Sequence, residues 1–186
     1  MRRLLGMVVG LWLAFAGVAQ AVEVEGVTLP SEVTVQGQAL QLNGYGIREK
    51  FFFDIYVGTL YTAHPVASTE AALALSGPKL IRMDFLYHEV GREKIVEAFA
   101  EGFEKNSPAL VGSPEEKAFL GWFVHDFVSG DEVDLELDGD GTVTARQNGE
   151  RLGSLHSPQL ARGVLLIYLG AKPADADLKS GMLGRH

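Results

Sequence analysis

GYGIREKFFFDIYVGTLY, residues 44–61, is the stretch on which the fold turns. From Lys50 to Tyr61 it is the longest strand candidate in the chain. Phe51, Phe53, Ile55 and Val57 fall at one parity, Phe52 and Tyr56 at the other. A strand apolar on both faces is covered on both sides, which predicts a central place in a sheet. Two charges interrupt it: Arg48 at the mouth of the strand and Asp54 in its middle. An isolated buried carboxylate is very costly, and Asp54 alternates in phase with Arg48. Two readings stay open at this point. The two residues form a structural ion pair beside a core strand, or Arg48 is a polar anchor at the rim of an apolar pocket.

On the N-terminal side, residues 22–42 alternate loosely and read as short strands with a turn at Pro30-Ser31. On the C-terminal side, Ser68 to Leu75 reads as a short capped helix stopped at Gly77-Pro78. Lys79 to Tyr87 is a strand whose Ile81, Met83, Phe85 and Tyr87 should face the core. Arg92 to Asn106 carries Ile95, Phe99 and Phe103 on one helical stripe. Ser113-Pro114-Glu115-Glu116 combines a cap, a proline at the first helical position and a glutamate three residues on. The helix it opens should bury Phe119, Leu120, Phe123 and Phe127. Strands at 132–137 and 142–147 lead to the hairpin signal Asn148-Gly149. Ser157-Pro158 opens a last apolar helix over 159–169, and the tail beyond Pro173 reads as polar and loosely packed. The order of elements is α+β, with helices gathered on one side of an antiparallel sheet.

The first residues read as an address. Arg2 and Arg3 precede an uncharged apolar run, Leu4 to Val18, and Ala19-Gln20-Ala21 supplies a small-x-small cleavage site. The run is too short to be a comfortable membrane span. A signal peptide over 1–21, cut after Ala21, leaves a single domain over 22–186 in the periplasm or outside the cell. Losing Arg2 and Arg3 takes the formal charge from −8 to −10. So acidic a chain does not hold nucleic acid or an anionic membrane through charge. With no cysteine there is no disulfide, thiolate metal site or cysteine nucleophile.

Other motifs carry little chemistry. Asp138-Gly139-Asp140-Gly141 lacks the later ligands of a calcium loop and reads as a turn. No histidine pair has zinc spacing, and no G-x-S-x-G elbow is present. No metal and no cofactor is implied.

LNGYGIREKFFFDIYVGTLY resembles the strand motif of the chalcone isomerase-like family: Gly-x-Gly-x-Arg, then an apolar strand ending Tyr-Val-x-x-Leu-Tyr. The later order agrees: KLIRMDFLY, a helix ending Glu-Gly-Phe-Glu-Lys-Asn, Asp-Gly-Thr-Val, the Asn-Gly turn and a closing helix with Ile-Tyr-Leu-Gly. Leu178-Lys179 and Leu183-Gly184 are similar to the bacterial exported branch. The resemblance implies an open-faced β-sandwich, a large antiparallel sheet covered on one face by helices. It also implies a cleft between the two layers. Plant enzymes of the family cyclise a chalcone there; fatty-acid-binding members hold an acyl chain with the arginine on its carboxylate.

Carried over residue by residue, only Arg48 matches. The enzyme's threonine falls near Ile55 or Tyr56, its tyrosine near Gly91 or Arg92, its asparagine near Ala98, and its closing-helix Ser/Thr near Ala161. Losing one oxyanion donor typically costs about 100-fold in rate, so loss of most of the set points away from catalysis. The expectation is a non-catalytic protein binding a small amphipathic anion, a fatty acid or aromatic acid, with Arg48, Tyr56 and Tyr87 as ligand-binding residues. Two alternatives stand beside it. One is an isomerase, an intramolecular lyase, rebuilt around Tyr56. The other is a structural or partner-binding envelope protein whose cleft its own side chains fill.

Overall fold

The structure, a computed structural model, describes residues 21–185. The leader expected over 1–21 thus lies, up to residue 20, outside the described residues. Among the described residues no helix is long and apolar enough to cross a membrane.

A small hairpin, β1 (Val22–Val24) and β2 (Val27–Leu29), precedes a seven-stranded antiparallel sheet. The sheet contains β3 (Glu32–Val35), β4 (Gln38–Lys50), β5 (Phe53–Thr62), β6 (Lys79–Phe85), β9 (Glu132–Leu137), β10 (Thr142–Gln147) and β11 (Glu150–His156). Its order is β11-β10-β9-β6-β5-β4-β3, so β5 and β6 are interior and β3 and β11 are edges. A two-stranded ribbon, β7 (Glu89–Val90) with β8 (Phe127–Val128), stands apart.

The helices are α1 (Thr69–Ala74), α2 (Arg92–Asn106), α3 (Pro114–Gly121), α4 (Pro158–Leu169) and α5 (Ala176–Met182). The sequence signals for their starts act as read. Ser68, Ser113 and Ser157 each accept a backbone N–H from the first turn. Gly91 cannot cap α2, so Asp126 does so from across the chain, accepting the Arg92 N–H at 2.8 Å.

One core lies between the sheet and the helices. Ile81, Met83 and Phe85 of β6 meet Phe99 and Phe103 of α2 and Val164 and Ile167 of α4. Alternate β6 residues face one way because strand side chains have a period of two. At roughly 1.5–3 kcal/mol for each fully buried large apolar side chain, this layer is the main source of stability.

Three expectations are corrected. The strand expected over 50–61 is broken at its start: Phe51 and Phe52 form a two-residue hairpin turn between β4 and β5, with φ of 51° and 71°. That turn geometry normally takes Asn-Gly, because bulky residues are strained at positive φ. An aromatic run therefore hides it. Phe127, expected on the third helix, sits instead in β8, because α3 ends at Gly121; its ring stacks on Phe85 at 4.9 Å. The tail is not loose either. It forms α5, whose Leu178 and Met182 are fully buried.

A row of glycines explains how α5 docks. Gly44 and Gly46 of β4 and Gly58 of β5 lie under it. A Cβ on Gly46 would stand 2.8 Å from the Leu178 Cα, and one on Gly44 would strike the Gly181 carbonyl. Only a strand without side chains at these positions lets the helix backbone come down onto the sheet. Asn43, at a bulge just before the row, holds both sides: it donates to the carbonyls of Val66 and Met182 and accepts from the Val66 N–H.

The β6 residues facing away from the helices carry an unbalanced charge cluster. The Arg82 fork is taken by Asp134, at 2.7 and 2.9 Å, and by Glu132, at 2.8 Å. Asp84 is left out, and its Oδ2 is buried without a hydrogen-bond partner among the described residues. Burial first, opposed by Arg82 and aided by Glu132 and Asp134, pushes its carboxyl from 3.8 to about 6. The folded chain thus holds this proton more tightly than the unfolded chain. The stability it contributes is complete below 3.8 and is lost as pH rises through about 6. Asp84→Asn should therefore stabilise the protein at pH 7–8, by about 1–2 kcal/mol after allowing for solvent screening. The advantage should fade towards pH 4. Thermal melts of both chains across that range check it; an advantage independent of pH would refute it.

Candidate functional site

Arg48 continues the row begun by Gly44 and Gly46, on the same face of β4. Where the glycines end, so does α5, and the arginine reaches into the space beyond. A register shift between Arg48 and Glu49 re-aims the side chain. Its cross-strand partner is Tyr56. The guanidinium donates to the Tyr56 hydroxyl at 3.3 Å and lies 5.7 Å from the centre of its ring.

The ion pair with Asp54 does not form. The register shift sets Asp54 opposite Glu49, and Arg48 is in no ion pair among the described residues. Asp175, at the start of α5, acts on it only through space. The Tyr56 phenol, against burial, raises the guanidinium above its already high ordinary value. It is a permanent cation with most of its five donors free for another acceptor.

Those donors face a hollow of about 320 Å³. Its walls come from the end of the β4–β5 hairpin (Arg48, Lys50, Phe51, Ile55), from Tyr87 and the β7 side (Glu89, Val90, Gly91) and from α2 (Lys94, Ile95, Ala98). Three cations against one carboxylate line it, in a chain of formal charge −8. The rest of the wall is largely apolar.

Two of the three residues singled out in the sequence, Arg48 and Tyr87, are on this wall. Tyr87 is held by edge-on contact with Phe53, ring centres 5.3 Å apart. Tyr56 is not on the wall. It is 1 % exposed and stands behind the guanidinium. Behind it in turn is Tyr168, whose hydroxyl donates to the Met83 sulfur at 3.1 Å. Complete burial, then the neighbouring Tyr56, drives the Tyr168 phenol well above its usual range. Tyr56 is thus the prop of Arg48, fixed by a buried phenol.

Sequence reasoning missed Lys50, Phe51, Lys94 and the β7 wall. Lys50 and Phe51 open the strand expected over 50–61; the hairpin turn moves them to the rim. No group of three or more His, Asp or Glu among the described residues is placed to hold a metal ion.

A family model described as chalcone isomerase-like matches residues 21–184. The chain belongs to the chalcone isomerase-like family. Among solved structures, a fatty-acid binding protein of Arabidopsis thaliana is similar, with a TM-score of 0.68 and 19 % identity. The match covers 88 % of this chain and 96 % of that one. At that identity the likeness speaks for the fold, an open-faced antiparallel sheet under a helical layer. No curated protein matches the sequence.

Within this family fold the Gly-x-Gly-x-Arg stretch of this chain has a plain physical sense. The glycines let the last helix settle on the sheet, and the arginine occupies the first place that helix leaves open. Beside that arginine a hollow of about 320 Å³ stays open.

Proposed function

We propose that this chain is an exported, non-catalytic binding protein of the bacterial branch of its family. Residues 1–21 act as its signal peptide, and a single domain over 22–186 works in the periplasm or outside the cell. Its ligand is a small amphipathic anion, a fatty acid or aromatic acid. The carboxylate sits on Arg48, the apolar body lies against Ile55, Val90 and Ile95, and Tyr87 closes one side. Tyr56 serves the site by holding the guanidinium.

One observation carries this reading: an open, mostly apolar hollow meets a guanidinium that no carboxylate of the described chain neutralises. Leaving such a charge half-buried and unpaired is costly unless something binds it. Arginine is suited to the task, because its planar fork matches both oxygens of a carboxylate. The Arabidopsis relative is named for binding fatty acids, which supports the ligand class. The wall positions Ile55, Gly91 and Ala98 bear no hydroxyl or amide side chain. That supports binding over an isomerase, which needs several donors around a developing oxyanion. The volume is near the lower end for ligand pockets, about 300–1,000 Å³, so a long chain would leave its tail outside.

Calorimetric titration with a series of fatty and aromatic carboxylates, each paired with its methyl ester, tests the reading. The acids should bind at least about tenfold tighter than the esters, since the ester cannot offer two charged oxygens. Equal affinities would remove the anion from the proposal, and no binding by any member would remove the ligand.

A further inference from the structure

The turn that hid in the sequence is also the most exposed apolar feature of the described chain. Phe51, Phe52 and Phe53 are 79 %, 101 % and 54 % exposed. Both turn residues have positive φ, where asparagine and glycine belong. Phenylalanine there strains the backbone, and the wholly exposed Phe52 ring gains little from the rest of the protein. A local rule broken without an internal gain marks a site with an external use.

We propose that this hairpin tip is a wedge that inserts into the surface of a zwitterionic phospholipid bilayer. Size decides between a bilayer and a protein partner. Three rings so exposed present roughly 400–500 Å², taking about 200 Å² for each phenylalanine. A specific protein interface needs about 800 Å² from each side. A two-residue tip cannot gather that area from a flat partner, whereas lipid closes around it.

The flanking charges fit the same occupant. Lys50, its ammonium 5.9 Å from the Phe51 ring, can lie along the ring and reach the phosphate level. Glu49 and Asp54, paired in register one step back, stop deeper entry and disfavour an anionic surface. Attachment is thus driven by burial of the rings, and added salt should change it little.

The tip is continuous with the hollow, since Lys50 and Phe51 line both. Seating the tip brings the mouth of the hollow to the lipid surface. Only this purpose, exchange of an amphipathic ligand with the bilayer, rests on the function proposed above; the docking itself does not.

Co-sedimentation with phosphatidylcholine vesicles tests it, using protein purified after expression of the full 186-residue chain. Chains that differ only at the tip cancel any contribution from the residues before Ala21. Phe52 is off the wall of the hollow, so Phe52→Gly is the clean variant. It should lower vesicle partition about tenfold or more. It should also raise Tm, because glycine tolerates the positive φ. Phe52→Trp should keep partition, and its fluorescence should shift to the blue on adding vesicles.

Equal partition of wild type and Phe52→Gly would overturn the proposal, as would no partition by wild type or a tryptophan at position 52 that stays in water. A tip-dependent dimer without vesicle binding would overturn it in favour of a second copy of the chain. The carboxylate titrations are run without vesicles, so failure of the wedge and failure of the ligand reading are separate results.

Discussion

Arg48→Ala should weaken binding of a carboxylate ligand by roughly 10- to 100-fold, the worth of charge-assisted hydrogen bonds to a buried acceptor. Tm should move by only a few degrees. The two halves of this result come from one fact. Arg48 is bound to Tyr56 and to no carboxylate among the described residues. Its removal therefore strands no buried anion, which is what makes breaking an ordinary buried ion pair so damaging. What is lost is one hydrogen bond to the Tyr56 hydroxyl and packing on its ring; what is gained is relief from holding a half-buried cation. A structural arginine would behave in the opposite way, with a large fall in Tm. Arg48→Lys should lie between wild type and alanine, since an ammonium keeps the charge but not the fork. Calorimetry and a thermal melt on the three chains decide it. Affinity unchanged in Arg48→Ala would end the anchor role.

A feature was legible in the sequence where the contact deciding it was local. The bounds of α2 and of β9 and β10 were legible to the residue, because caps, the Asn148-Gly149 hairpin and apolar periodicity act over a few positions. The alternation of Ile81, Met83 and Phe85 placed the core on the correct face. Arg48 stood out in the sequence because a guanidinium next to an aromatic strand is unusual on its face. Asp54 misled because phase counting assumes an unbroken pleat, and the shift between Arg48 and Glu49 breaks it. The Phe51-Phe52 turn misled because its residues contradict its geometry, which local propensity cannot reveal. The wall of the hollow needed the fold itself: β7 and the start of α2 meet the hairpin only after some 40 residues of intervening chain. The tail misled for another reason. α5 has seven residues and a glycine inside it, too short to hold by itself, and what fixes it lies far away on β4.

That distant fit makes Gly181→Ala the most informative stability variant. Judged locally, it should help: alanine is favoured over glycine inside a helix by about 1 kcal/mol. Judged by the fold, it should do harm. A Cβ at this position would strike the carbonyl oxygen of Tyr45, and both colliding groups are fixed to backbone, so no rotamer change relieves them. α5 must lift from the sheet, and with it Leu178, Met182 and Leu183, now 0 %, 0 % and 4 % exposed. Even partial loss of three such side chains outweighs the propensity gain, for a net cost of about 3 kcal/mol or more. Tm should fall by about 6–12 °C for a chain of this size. Gly121→Ala, at the end of α3 with nothing within 4 Å of its new Cβ, isolates the local effect and should be neutral or mildly stabilising. The sign separates the two causes, because propensity alone raises both melting temperatures and close approach lowers only one. Lifting α5 also moves Asp175 and uncovers the glycine row beside Arg48, so ligand affinity should drop with stability. A Gly181→Ala chain that melts at or above wild type would mean that the strand glycines are not there to seat this helix.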